Sequence, residues 1–179
     1  MLACYYMAHQ LYLTFVVVVT FVTVMQNEIR FECFTKEYKK DFVNINIQWL
    51  EKLFKVEPHD MEVLQGCEEN IINKGGFIFI GKCKDAVIAT IAFMKVAEGV
   101  FELGKMAVIP EFQGQNIGQE ILKFGLQFGK SQSWRKVIIY TCACLENALH
   151  IYKKFGFQEV ELEKDNPYER ADMKLVMIL

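Results

Sequence analysis

Three groups of residues in this chain could do chemistry. The first is the loop Gln113-Gly114-Gln115-Asn116-Ile117-Gly118, which follows an apolar run and opens an amphipathic one. A helix start offers N–H groups without intrahelical acceptors and the positive end of a dipole, so it binds anions. Glycine lets the backbone approach a phosphate closely. The dinucleotide fingerprint needs GxGxxG, and here only Gly114 and Gly118 are present, so that reading fails. A Walker loop needs Gly-Lys-Ser/Thr, which is absent. Asn116 stands where a third glycine would be expected, and asparagine is the non-glycine residue most tolerant of positive φ. The second group is Glu102, on the strand that feeds the loop. On a regular strand Glu102, Gly104, Met106 and Val108 share one face. A carboxylate on such a mostly apolar face has a raised pKa, which suits a base near neutral pH. The third is Tyr152, on a short helix before Gly156, whose phenol can donate one hydrogen bond. Each side chain has a plainer alternative: an edge-of-sheet glutamate with a structural partner, and a core aromatic on a helix stripe.

These residues need elements to hold them, and the patterning from Glu28 onward supplies them. EIRFECF alternates as a strand does. KEYKKDFVNINIQWLEKLF carries Tyr38, Phe42, Ile45, Trp49, Leu50 and Phe54 at helical spacing. EPHDMEVLQGCEENII reads as a loop and then a short helix, with Asp60 as its N-cap. Lys74-Gly75-Gly76 is a turn. FIFIGKCKDAVIATIAFMKV reads as two strands joined by a hairpin around Lys82 to Asp85. GVFELGKMAVI is a further strand, stopped by Pro110. NIGQEILKFGLQFGKSQ then places Ile117, Ile121, Leu122 and Leu126 on one helical stripe. KVIIYTCAC is a buried strand, and LENALHIYKKFG a helix with Gly156 as its C′ residue. FQEVELE and ADMKLVMIL close the chain as strands. The expectation is one α/β domain in which strands outnumber helices.

Composition narrows the function classes. The chain has 179 residues, 53% hydrophobic and 13% aromatic, enough for a single packed core. The formal charge is −2 and the densest basic cluster, Lys36-Glu37-Tyr38-Lys39-Lys40, is broken by a glutamate. Duplex nucleic-acid binding, which leans on many phosphate contacts, is therefore not expected. Cysteines stand at 4, 33, 67, 83, 142 and 144, with no CxxC pair. The CxC at 142 and 144 has no histidine beside it, so no metal site is expected, and all six read as reduced thiols of a cytoplasmic protein.

The amino terminus stands apart. No Asp, Glu, Lys or Arg precedes Glu28. The apolar run Leu11 to Met25 falls short of the roughly 20 residues that span a bilayer, and it lacks the basic start and cleavage site of a signal peptide. Three readings of residues 1–24 stay open. They are an appended segment before a domain at 25–179, a membrane anchor, or an extra strand or partner-binding segment.

Taken with its flanks, the loop resembles a known family. Gln113, Ile117 and Gly118 fit the Q/R-x-x-G-x-G/A signature of the GNAT superfamily of acyl-CoA N-acyltransferases, with Asn116 in place of the middle glycine. FELGKMAVIPEFQGQNIG resembles that family's fourth strand and loop. NALHIYKKFGF resembles its A-x-x-x-Y-x-K-x-G-F helix and strand, through Ala148, Tyr152, Lys154, Gly156 and Phe157. The ending PYERADMKLVMIL resembles a bacterial subgroup sometimes fused behind MarR-type repressors. The resemblance covers about Asn27 to Leu179.

It implies a mixed, mostly antiparallel central sheet flanked by helices, with a strand pair that splays at the coenzyme site. It implies acetyl-CoA as co-substrate and an amine as acceptor. The amides of Gln113, Gly114, Gln115, Asn116, Ile117 and Gly118 would hold the pyrophosphate. Met106, Ala107 and Val108 would pair through their backbone with the pantetheine arm. Glu102 would be the base and Tyr152 the acid for the departing thiolate. The asparagine often found seven residues before the tyrosine is Leu145 here, and Asn147 is the nearest substitute for its coenzyme contact. A catalytically weak acyl-CoA-binding or regulatory module is the competing function. The oligomeric state stays open, a homodimer included.

Other side chains are weighed more lightly. His59, Glu57, Trp49, Tyr168 and Arg170 are acceptor-side candidates, with Arg170 as easily pairing Glu169 or Asp172 at the surface. His150 is expected on a helix surface, and His9 falls in the terminal segment.

Overall fold

The computed structural model describes residues 29–166 and 168–179. Among the described residues seven strands and four α-helices follow one another: β1 (Ile29–Cys33), α1 (Lys39–Leu53), α2 (Pro58–Gln65), β2 (Phe77–Cys83), β3 (Ala86–Ala97), β4 (Val100–Val108), α3 (Ile117–Ser131), β5 (Lys136–Thr141), α4 (Glu146–Lys154), β6 (Gln158–Val160) and β7 (Met173–Ile178). They form a single sheet in the order β1-β2-β3-β4-β5-β7-β6. Every neighbouring pair is antiparallel except β4 and β5. That parallel pair is joined through α3, as a parallel connection requires. Its ladder is short: Val100↔Lys136, Phe101↔Val137 and Glu102↔Ile138. Both strands run on, β4 to Val108 and β5 to Thr141, without further pairing to each other, so the sheet opens between them beyond Glu102.

The two sheet faces carry separate cores. On one, α3 lays Ile117, Ile121, Leu122 and Leu126 onto Phe79, Phe93, Phe101, Val137 and Ile139. Glycines let it come close. A Cβ at Gly125 would stand 2.4 Å from Phe93 Cε2, and one at Gly129 would stand 2.4 Å from Trp134 Cε3. The rings fill that space, with Phe101 and Trp134 stacked at 3.9 Å between centroids. On the other face, Phe42 and Leu50 of α1 join Val63 and Leu64 of α2 over Ile78, Ile80 and Ala92. Asn46 of α1 is a buried polar residue there. Asn46 Nδ2 donates to Phe42 O at 2.8 Å and to Thr90 Oγ1 at 3.0 Å, which satisfies it.

Between Phe101 and Val108, β4 carries one residue more than the facing Ala89–Lys95 of β3. Ala92 pairs with Gly104 and Thr90 with Ala107, so two residues of β4 face Ile91 alone. Lys105 takes φ 50° at this bulge, and its carbonyl accepts from Thr90 Oγ1 at 3.1 Å. The extra residue reverses the alternation of side chains. Glu102 lies opposite Met94 and Gly104 opposite Ala92, on the α1/α2 face. Met106 and Val108 instead pack with the α3 cluster. The expectation that Glu102, Gly104, Met106 and Val108 share a face is therefore wrong, because a regular strand was assumed.

Other departures have equally local causes. Asp60 is not an N-cap. The cap is Glu57, Pro58 begins the helix, and Asp60 is its third residue. The Glu57 N–H donates to Asp60 Oδ2 at 3.3 Å. His59 accordingly sits in the first turn of α2 and not in a loop. β5 ends at Thr141, and Cys142 pairs with Cys144 in a disulfide within the following turn, against the expectation of six thiols. Cys33, Cys67 and Cys83 are free. The apolar run at 11–25, His9, Cys4 and the boundary at 24/25 lie outside the described residues. No helix among the described residues is long and apolar enough to cross a membrane.

Candidate active site

The opening between β4 and β5 gathers the site. On the α3 side lies the loop. After a 3₁₀ turn at Pro110–Phe112, Gln113 is extended. Gly114 takes φ 75° and Asn116 takes φ 62°, ψ 6°. Asn116 is thus left-handed, the conformation its side chain tolerates best among non-glycine residues, and it caps α3. The Glu120 N–H is the first to find a carbonyl, that of Asn116, at 3.0 Å. Among the described residues, the N–H groups of 114–119 have no acceptor. They form a row of donors at the positive end of a 15-residue helix.

Side chains fix this row in place. Gln113 Nε2 donates back to Val108 O at 2.8 Å, and Gln115 Nε2 to Glu111 O at 3.1 Å. Ile117 is buried in the α3 core and pins the first helical residue. A Cβ at Gly118 would meet Met106 Cε at 3.4 Å and Val108 Cγ2 at 3.8 Å, so the helix start rests on β4. A second link went unforeseen. Lys154 Nζ donates to Gln119 Oε1 at 2.8 Å, and Gln119 Nε2 donates to Asn116 Oδ1 at 3.0 Å. The asparagine side chain is therefore used as well as its backbone.

Backbone polarity lines the opening itself. The Ile109 N–H donates to Ile88 O across to β3 at 3.0 Å. By antiparallel alternation Ala107 also faces β3, while Val108 directs its N–H group toward the unpaired side. Tyr152 stands on α4 within the α3-side cluster. It is 8% exposed, with its ring 5.8 Å from Phe157. Burial pushes its hydroxyl up to about 12, so it stays protonated at neutral pH. Leu145 caps α4, and Asn147 is exposed in that helix's first turn.

The α1/α2 side of the opening is built differently. Glu102 points there, and burial pushes its carboxyl above the usual range, outweighing the Tyr168 hydroxyl, Lys105 and His59. Tyr168 Oη donates to Glu102 Oε1 at 2.7 Å. Beside them lies an ion cluster centred on Asp60, which is 0% exposed. Lys105 Nζ reaches Asp60 Oδ1 at 2.8 Å. Arg170 grips the same carboxylate in bidentate fashion, Nη1 to Oδ2 at 2.7 Å and Nη2 to Oδ1 at 2.9 Å, and also meets Glu57 at 2.9 Å. Burial alone would push the Asp60 carboxyl up, but Arg170 and Lys105 together hold it below its ordinary value. Arg170 thus pairs inward, and not with Glu169 or Asp172. Trp49 packs against Phe54, and His59 stands 5.6 Å from the Tyr168 ring. His150 is exposed on α4.

Sequence reasoning missed Lys105 and the centrality of Asp60. Lysine at a positive φ leaves no mark in a hydrophobicity pattern, and the cluster joins residues up to 110 positions apart.

A mixed sheet whose parallel pair parts beside a helix-start row of amides defines an acyl-CoA N-acyltransferase. The chain belongs to the acetyltransferase (GNAT) family, whose model it matches over residues 28–157. Three solved structures illustrate the shared fold. A GNAT-family acetyltransferase from Staphylococcus aureus Mu50 has a TM-score of 0.76 at 18% identity, covering 84% of this chain and 99% of that one. A ribosomal-protein-alanine N-acetyltransferase from Brucella melitensis has a TM-score of 0.70 at 15% identity, covering 84% and 99%. The PaiA N-acetyltransferase from Thermoplasma acidophilum, solved in complex with coenzyme A, has a TM-score of 0.67 at 14% identity, covering 85% and 99%. No curated protein matches the chain.

Proposed function

We propose that the domain at 25–179 transfers an acetyl group from acetyl-CoA to a primary amine of a small molecule, amino acid or peptide, by direct attack in a ternary complex. The observation that carries this reading is the row of unpaired N–H groups at 114–119 beside the unpaired edge of β4, with Glu102 where the edge begins. A cytoplasmic location goes with it, since an acyl-CoA is the donor.

When bound, acetyl-CoA supplies an activated thioester. The chain supplies the rest. The amides of 114–118, with Gln113 bracing the loop, fit a pyrophosphate: five donors stand at a helix start, and Gly114 has open space around it. Asn147, at the exposed start of α4, is a further contact for the coenzyme. The edge of β4 at Met106, Ala107 and Val108 accepts an extended amide-bearing arm as a sheet edge accepts a strand. An N–H of Met106 or Val108 polarises the thioester carbonyl. Glu102, made more basic by burial, takes the proton from the attacking amine. Tyr152, protonated at working pH, donates to the thiolate as it leaves.

The test is Glu102→Gln. Turnover at neutral pH is expected to fall by about 10²-fold or more, the range of a lost general base, with the KM for acetyl-CoA nearly unchanged. Unchanged turnover would remove Glu102 from the mechanism. Thiol release over an amine panel identifies the acceptor. A thermal shift with acetyl-CoA but no release with any amine would favour the catalytically weak binding module instead.

A further inference from the structure

Glu102 has a partner that the steps above leave idle. Tyr168 lies in the segment between β6 and β7, 66 positions from Glu102, yet its hydroxyl donates to Glu102 Oε1 at 2.7 Å. Tyr168 is 6% exposed, and its ring is held on several sides. Arg170 Cζ lies 5.0 Å from the ring centroid and Lys105 Nζ lies 5.3 Å away. The rings of His59 and Tyr140 stand at 5.6 and 6.2 Å. Arg170 and Lys105 are themselves fixed on Asp60 of α2. The phenol is thus oriented by a buried ion cluster that makes no bond to Glu102.

We propose that Tyr168 is a positioning residue for the acyl transfer: its hydrogen bond fixes Oε1 of Glu102, leaves Oε2 to receive the amine proton, and sets the pH at which Glu102 becomes a base. The proposal rests on Glu102 acting as that base.

The physics follows from the direction of the bond. A hydrogen bond donated to a carboxylate favours its charged form, whereas burial disfavours it. Around Glu102 and Tyr168 stand Lys105 from β4, His59 and Asp60 from α2, Tyr140 from β5, and Arg170 from the same segment as Tyr168. Removing one hydroxyl leaves all of these and the burial in place. The Glu102 carboxyl would then hold its proton to higher pH. Tyr168 itself is held protonated far above the ordinary tyrosine range, first by burial and then by Glu102. It can donate a hydrogen bond but cannot serve as the base in place of Glu102.

The experiment is the pH profile of kcat/KM for the Tyr168→Phe variant of the full chain, beside wild type and Glu102→Gln. The acid limb is expected to move to higher pH by about one to two units, the size of one lost hydrogen bond to a charged group. Turnover at neutral pH should fall several-fold and recover in part on raising the pH, with the KM for acetyl-CoA unchanged. If Glu102→Gln abolishes the acid limb while Tyr168→Phe leaves it in place, Glu102 stands as the base and the proposal for Tyr168 is overturned. If the limb survives in Glu102→Gln, the base assignment fails first and the proposal goes with it. Should Tyr168→Phe not fold, 3-fluorotyrosine introduced at position 168 gives the same answer with the contact retained. A stronger donor should shift the limb to lower pH, and no shift overturns the proposal.

Discussion

The two sides of the β4/β5 opening solve the same problem with different materials. On the α3 side the donors are backbone amides, the residues are neighbours in sequence, and no charged side chain among the described residues hydrogen-bonds the loop N–H groups. On the α1/α2 side the groups are charged side chains from three separate segments, centred on a fully buried aspartate. A backbone cradle suits a ligand part common to every turnover. A buried side-chain cluster suits the face where the acceptor enters and protons move. The first costs little to build, since helix starts leave their amides unpaired in any case. The second must offset the desolvation of several charges.

Asp60→Asn tests that contrast hardest. It leaves Lys105 buried without its main counter-ion and deprives Arg170 of one of its two carboxylates. Breaking a buried pair in this way costs about 3–5 kcal/mol, to be read from denaturant unfolding. The pH dependence carries the sign. Asp60 has a folded pKa below its unfolded value of about 3.9, so its stabilisation is present above that pH and is lost as pH falls through the folded value. Asp60→Asn should flatten this acid-side loss. Glu102 has the opposite sign. Its raised folded pKa makes the fold less stable as pH climbs from about 4.3 through the folded value, so Glu102→Gln should raise the unfolding midpoint at neutral pH.

Tyr152→Phe comes next in size. Loss of the acid should lower the chemical step by about 10²-fold, seen in single-turnover kinetics, with the unfolding midpoint nearly unchanged. Smaller effects fall on the cradle. Asn116→Val forces a β-branched residue into the left-handed region, at roughly 1–2 kcal/mol, so the KM for acetyl-CoA should rise about tenfold. Asn116→Gly keeps the backbone angle and loses only the contact to Gln119, so its KM should change by less than about threefold. Equal effects from the two Asn116 variants would mean that the side-chain contact, and not the angle, keeps the cradle in shape.

The same contrast explains what the sequence disclosed. The cradle was legible because everything it needs lies within six consecutive residues: a glycine, an asparagine able to take positive φ, and an apolar anchor at Ile117. The helices and most strands were legible from periodicity. The acceptor side was not, because its order is three-dimensional. Asp60 lies at helix position three because Glu57 and Pro58 start the helix three residues earlier than the spacing suggests. Arg170 read as easily as a surface partner of Glu169 or Asp172 as it did as an acceptor-side residue, since near neighbours are all that a sequence displays. Its true partner is 110 positions away. The face assignment of β4 failed at a single residue, Lys105, whose lysine type gives no hint of an inserted position.

That inserted residue lets one strand work in two frames. Upstream of Lys105 the odd-numbered side chains of β4 join the α3 core, and downstream the even-numbered ones do. Deleting any one residue from 103 to 107 would restore a single frame and send either Glu102 or Met106 and Val108 to the wrong side of the sheet. Transplanting this strand into a related scaffold therefore requires counting eight residues from Phe101 to Val108 where a plain ladder opposite Ala89–Lys95 would use seven.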